Sequence, residues 1–253
     1  MNAPRTMRAR RLVAAFVVWL GCSASAAAPD AITLTHLRGG IYVAENRAYY
    51  KENSVVYIGA RHVTVVGATW TPETARLLAA KIRRITDKPV TEVINPNYHT
   101  DRAGGNAFWR SIGAAIVATP LTADTMRDGW DEVVDFTRQG MPAYPKLPLV
   151  MPDRVVPAPF ALQDGRLQAL YPGAAHTVDG IVVYFPEEKV LYGNCLLKQE
   201  LGNLKYADLT AYPRTLEKLK ALHLDFDVII AGHQDAVHGP QLIDHYLNLL
   251  QKR

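Results

Sequence analysis

Val90-Thr91-Glu92-Val93-Ile94-Asn95-Pro96-Asn97-Tyr98-His99-Thr100-Asp101-Arg102 decides how this chain is read. Val90 to Ile94 is a short β-rich run of the kind that forms a buried strand. The polar stretch behind it carries an imidazole, His99, and a carboxylate, Asp101, two residues apart. A strand end holds such side chains rigidly while their tips face a cleft, which is what a preorganised metal site needs.

The flanking sequence predicts the scaffold. Short alternating strands are expected at 32–37, 41–45, 54–58 and 63–67. A helix follows, with Thr71 as N-cap, Pro72 at its first position, and Ala75, Leu78, Ala79, Ile82 and Ile85 at helical spacing. Beyond the 90–94 strand come a strand at 114–118, a long helix at 121–139 and a proline-rich crossing at 142–159. Strands then recur at 160–162, 167–171, 180–185 and 190–192. A helix over 209–222, which Pro213 should interrupt, leads to a strand at 228–231 and a helix at 240–250. Strands, helix, strand and helices thus occur twice. The duplication predicts an α/β fold of two packed sheets with helices on the outer faces, a four-layer αββα sandwich.

Residues 1–26 read as a secretory signal peptide. Arg5, Arg8, Arg10 and Arg11 precede an apolar run too short to span a bilayer, and Ala24-Ser25-Ala26 is a small-residue cleavage site. Residues 27–253 are then one domain, expected in the periplasm as a monomer. The formal net charge of +4 belongs to those four arginines, so the mature chain is near neutral. Neither nucleic acid nor membrane is expected as its partner. Of the two cysteines, Cys22 and Cys195, the first leaves with the signal. A lone thiol in an oxidising compartment is a liability unless buried or bound to metal.

Three more candidate ligands stand after apolar runs or glycines: His176, Cys195 and His233. With His99 and Asp101 they make the donor types that bind zinc. Asp101, Cys195 and His233 supply two negative charges and one imidazole, which neutralise a zinc dication. His99 and His176 with Asn97 form a second set. An amide oxygen is a poorer zinc ligand than imidazole, so this set is expected to bind weakly.

These residues resemble the metallo-β-lactamases, and in detail the mono-zinc subclass that prefers carbapenems. Val65 through Pro72, Asn97 through Asn106, Gly193 through Lys198 with Leu201 through Leu204, and Gly232-His233 with His238-Gly239-Pro240 carry the likeness. Arg102 stands where related hydrolases carry a histidine ligand, and Asn97 where the two-zinc subclass has its first histidine. The resemblance implies one active zinc on Asp101, Cys195 and His233, and an inhibitory second zinc on His99 and His176. It implies hydrolysis of the β-lactam amide, conferring antibiotic resistance, with His99 or Asp101 as general base and His176 orienting water or substrate. Lys198, a cation on a flexible stem, would pair with the substrate carboxylate. Asn203 would donate to the carbonyl oxygen, and Trp70 would serve as apolar wall or core. Arg102 is expected to hold its loop by hydrogen bonds. Gln234-Asp235-Ala236-Val237, beside His233, is a stretch able to tune selectivity. Another hydrolase of this scaffold, a periplasmic zinc-binding protein and a thiol hydrolase using Cys195 remain alternatives.

Overall fold

The computed structural model describes residues 31–253; the expected signal peptide lies outside them. β1 (Ile32–Arg38), β2 (Ile41–Asn46), β3 (Glu52–Ile58) and β4 (Val63–Val66) form an antiparallel meander. Helical crossovers then add parallel strands. α1 (Pro72–Arg83) leads to β5 (Val90–Ile94), α2 (Thr100–Ala103) and α3 (Asn106–Ser111) to β6 (Ala115–Ala118), and α4 (Pro120–Gly140) to β7 (Arg154–Val155). The second sheet holds β8 (Phe160–Leu162), β9 (Leu167–Leu170), β10 (Val182–Phe185), β11 (Val190–Asn194), β12 (Val228–Ala231) and β13 (Val237–His238). Among the described residues its one parallel pair, β11 with β12, is joined through α5 (Tyr212–Ala221), and α6 (Leu242–Gln251) follows β13.

Strand alternation sorts side chains between the two faces of each sheet. Val55, Val66, Ile94, Val183, Tyr192 and Ile230 point inward and fill one core between the sheets. Their neighbours Val56, Val65 and Val93 face outward onto Leu78 and Ile82 of α1 and Trp109 of α3. On the other side Val182, Leu191 and Ile229 meet Leu216 and Leu219 of α5 and Ile243 and Leu247 of α6. The central strands are therefore apolar on both faces, as a covered sheet requires. The result is the expected helix–sheet–sheet–helix sandwich.

α1 starts as its sequence dictates. The Thr71 hydroxyl accepts from Thr74 N, the Thr74 hydroxyl accepts from Thr71 N, and Pro72 occupies the first turn; such a cap contributes about 1 kcal/mol. α4 does not lie in either outer layer. Met126, Trp130, Val133 and Val134 pack it on Trp70, Tyr98 and Tyr144, across one edge of the sandwich. Pro213 does not interrupt a helix. It stands in the first turn of α5, where its missing N–H costs no intrahelical bond. Residues 208–211 instead form a turn in which Asp208 Oδ1 accepts from the Thr210 and Ala211 amides. Among the described residues, no helix is long and apolar enough to cross a membrane.

Candidate metal centre

The carboxyl ends of the parallel strands meet at one edge of the sandwich, where open α/β sheets place ligands. β5 delivers His99, which caps α2, and Asp101 in the first turn of that helix. Cys195 directly follows β11, and His233 stands two residues beyond β12. The backbone is strained at the same edge. Thr69, Asn194 and Gln234 all hold positive φ, at 69°, 50° and 57°, a conformation that L side chains adopt at a cost and that gathers at functional sites.

Asp101, Cys195 and His233 come together, and all three are buried. Cys195 Sγ lies 3.6 Å from Asp101 Oδ2 and 3.5 Å from His233 Nε2, and the latter two atoms are 3.3 Å apart. A tetrahedral ion bonded at about 2.0–2.1 Å to nitrogen or oxygen and at about 2.3 Å to sulfur needs donor separations of about 3.3 Å and about 3.6 Å. The trio fits zinc on both chemistry and spacing. His233 Nδ1 donates to the Lys51 carbonyl at 2.8 Å, which turns Nε2 toward the other donors, the usual orienting device for a metal-binding histidine.

The charges agree. Burial opposes ionisation of Asp101, but the Arg102 guanidinium and His233 hold it well below its ordinary value. Burial likewise works to raise the Cys195 thiol, yet Arg102 and His233 bring it below its usual value. Against burial, the Cys195 and Asp101 charges lift His233 to about 9. A proton thus sits on His233 in the metal-free protein because the trio attracts a cation, and an entering ion must displace it.

Arg102 lies beneath the trio, fully buried. Its Nε is 3.3 Å from Cys195 Sγ and 3.2 Å from Asp101 Oδ2. Nη1 donates to Glu52 Oε2 at 3.1 Å and the Asn53 carbonyl at 2.9 Å, and Nη2 to the Gly232 carbonyl at 2.7 Å. One planar guanidinium therefore holds two donors of the trio and ties β3 of the first sheet to the ligand loop of the second. Asn53 adds to this tie, its amide Nδ2 donating to the Ala231 carbonyl at 2.9 Å.

A sequence model of the metallo-beta-lactamase superfamily matches residues 50–233. The chain belongs to the metallo-beta-lactamase superfamily. It is 29% identical over 209 residues to metallo-beta-lactamase IND-1 of Chryseobacterium indologenes, covering 81% of this chain and 80% of that one. With a metallo-beta-lactamase type 2 of Bacteroides fragilis it shares 25% over 234 residues, 85% of this chain and 84% of the other. The solved structure of a metallo-beta-lactamase from Pontibacter korlensis superposes with a TM-score of 0.75 at 23% identity, over 88% of this chain and 100% of that one; this likeness is one of fold.

Within this metallo-beta-lactamase fold, the second set of candidates is arranged differently from the trio. His99 and His176 stand edge to face, ring centroids 5.2 Å apart. Burial brings His99 down to about 4, and burial with the Lys198 charge takes His176 well below its ordinary value, so both rings are neutral. Among the described residues, His99 Nε2 is buried without a hydrogen-bond partner, and His99 lines the cleft. Asn97 is fully buried, and its Oδ1 accepts the backbone N–H of His99 at 3.0 Å, a local turn of the Asx kind. Its oxygen is engaged by its own loop.

The trio opens onto a cleft of about 380 Å³, lined by His99, Asp101, His176, Lys198, Asn203 and His233 among others. Lys198 is not on a free stem: it is 2% exposed, lies 5.7 Å from the centre of the Tyr246 ring, and its Nζ donates to His176 Nδ1 at 3.3 Å. Burial, partly offset by Cys195 and Asp101, brings it down to about 8. Asn203 Oδ1 accepts from Lys205 N at 2.8 Å, leaving its amide Nδ2 as the group able to donate into the cleft. Trp70 is both wall and core. It lines the cleft, packs edge-on against Tyr144, and donates Nε1 to the Tyr50 carbonyl at 3.0 Å.

Sequence reasoning missed Tyr50, Phe136, Met141 and Tyr206, which complete the apolar lining. Tyr206 stands edge-on to both His99 and Phe136, at 5.2 and 5.5 Å, and Lys205 bridges it to α4 through Glu132. The sequence signal for Tyr206 was an aromatic soon after Asn203, and for Phe136 an apolar position on α4 outside the core stripe; Tyr50 and Met141 carried none.

Proposed function

We propose that this protein hydrolyses the amide bond of β-lactams, preferring carbapenems, with a single zinc held by Asp101, Cys195 and His233. The observation that carries the reading is a trio with zinc-like spacing beside a neutral imidazole, His99, whose Nε2 has no partner among the described residues. Its curated relatives are metallo-beta-lactamases by name, which supports the same substrate class.

The bound zinc would supply Lewis acidity for the nitrogen released when the amide C–N bond breaks. The chain's own residues do the rest. His99, neutral at physiological pH, accepts a proton from the attacking water at Nε2 as that oxygen bonds to the carbonyl carbon, and gives it up so that the nitrogen freed by C–N cleavage leaves protonated. His176 Nδ1 is committed to Lys198 and orients that lysine. The Lys198 ammonium pairs with the carboxylate that bicyclic β-lactams carry. Asn203 donates from Nδ2 toward the carbonyl oxygen as it gains charge. Trp70, Phe136 and Tyr206 exclude water and strengthen each of these contacts. The same reading has the enzyme act in the periplasm as a monomer, after removal of residues 1–26. A second zinc on His99 and His176 would remove the base, so we propose that it inhibits.

A thiol hydrolase is disfavoured because Cys195 is fully buried under Asp101 and His233. The test is turnover by the one-zinc protein of imipenem, benzylpenicillin, a thioester and a phosphodiester. Fast imipenem loss with little penicillin loss supports the proposal. Ester or phosphodiester turnover without β-lactam turnover would replace it with another hydrolase, and no turnover at all with a zinc-binding protein.

A further inference from the structure

Gln234 directly follows the donor His233 and spends backbone strain to stand there, at φ 57°. Its side chain shows what that conformation achieves. Oε1 accepts the backbone N–H groups of both Gln199 and Glu200 at 3.2 Å, and Nε2 donates to the Tyr50 hydroxyl at 3.3 Å. Gln199 and Glu200 lead from Lys198 into Gly202 and Asn203, all of which except those two line the cleft. Two further ties on this stretch come from α6: His245 Nε2 donates to the Gln199 carbonyl at 2.7 Å and the Tyr246 hydroxyl to the Leu201 carbonyl at 3.0 Å. Tyr50 in turn rests against the His233 ring, 5.4 Å between centroids. One amide therefore joins three parts of the cleft rim: residues 49–51, the ligand loop and the 198–203 stretch.

We propose that Gln234 is a positioning residue, which sets the 198–203 stretch against the metal ligands and thereby fixes how an anionic substrate fits Lys198 and Asn203. The substrate half of this inference rests on the β-lactam reading; the tie between the loops does not. Length matters: asparagine is one methylene short of both partners. Glycine and asparagine both tolerate the left-handed backbone, so Gln234→Gly and Gln234→Asn remove the tie without adding strain. Gln234→Glu keeps an acceptor of the right length for the two N–H groups.

The experiment is amide hydrogen exchange on the zinc-loaded protein and its three variants, beside steady-state kinetics on imipenem and zinc counting. In Gln234→Gly and Gln234→Asn the Gln199 and Glu200 amides should exchange at least about tenfold faster. KM should rise about tenfold with kcat within about threefold, the split expected of lost binding geometry, and zinc content should hold. Gln234→Glu should restore slow exchange. Unchanged exchange in both shortened variants, or a fall in kcat with KM constant, overturns the proposal. If the wild type turns over no β-lactam, the β-lactam reading fails, and the exchange result by itself decides whether Gln234 ties the loops.

Discussion

Asn97 is the side chain on which the one-metal reading turns. Its oxygen is bonded to the backbone N–H of His99, so the His99 and His176 pair lacks a third strong donor. Asn97→His replaces that amide by an imidazole. Zinc per chain, measured by elemental analysis after dialysis, should rise from one toward two, and a value that stays at one counts against the account. Asp179, fully buried, offers a separate test, of a single buried carboxyl. Burial lifts its carboxyl to about 6 from an ordinary 3.8. The folded state therefore holds that proton more tightly than the unfolded chain. The resulting stability is present below about pH 4 and is lost as pH rises through about 6. Asp179→Asn has no proton to lose. Relative to wild type, the variant should gain on the order of 2 kcal/mol between pH 4 and 7.5, read by urea unfolding in chelator. A difference that does not change with pH contradicts the assignment.

At the scale of elements, the ligand loop depends on two glycines. A side chain at Gly104 would come within 1.9 Å of the Trp70 carbonyl, and one at Gly105 within 1.9 Å of the Ala68 carbonyl. Only hydrogen fits where the segment after β4 lies on the start of α3. Gly105→Ala should cost about 2 kcal/mol or more in thermal unfolding and weaken zinc binding, because the displaced backbone carries Asp101. A variant of wild-type stability would show that the contact is soft.

Regular elements were legible in the sequence. β5, β8 and β12 begin and end where their apolar runs do, and α1 follows from Thr71, Pro72 and a 3.6-residue period. α2 and α3 were not, since helices of four and six residues carry no readable period. The start of α5 was misread because a proline in a first turn looks, in sequence, like a break. At the site, the candidate donors stood out by chemical type, a lone thiol, three histidines and one carboxylate, of which Asp101, Cys195 and His233 come together. Tyr50, Phe136 and Tyr206 did not stand out, because aromatic residues that wall a cleft have the same composition as those that fill a core. The burial of Lys198 was hidden too, since it arises from α6 and Tyr246, far along the chain.

Across the whole molecule, the centre is built from both sheets. Asp101 comes from the first, Cys195 and His233 from the second, and Arg102, anchored to Glu52 and Asn53 of the first sheet, reaches the Gly232 carbonyl and Cys195 of the second. Glu52 is fully buried, and burial raises it to about 7 even against the pull of Arg102. Arg102→Leu leaves that carboxylate and the trio uncompensated. It should destabilise the metal-free protein by about 3–5 kcal/mol, measured by urea unfolding, and weaken zinc binding as well. A loss under about 1 kcal/mol would mean that the guanidinium does not hold the halves together.

One measurement reaches the central claim most directly: titration of the metal-free protein with zinc while imipenem turnover is followed. The account predicts a rate that peaks at one zinc per chain and falls as the second binds. A rate that climbs to a plateau at two zincs would contradict it, and would make His99 and His176 ligands of an activating ion.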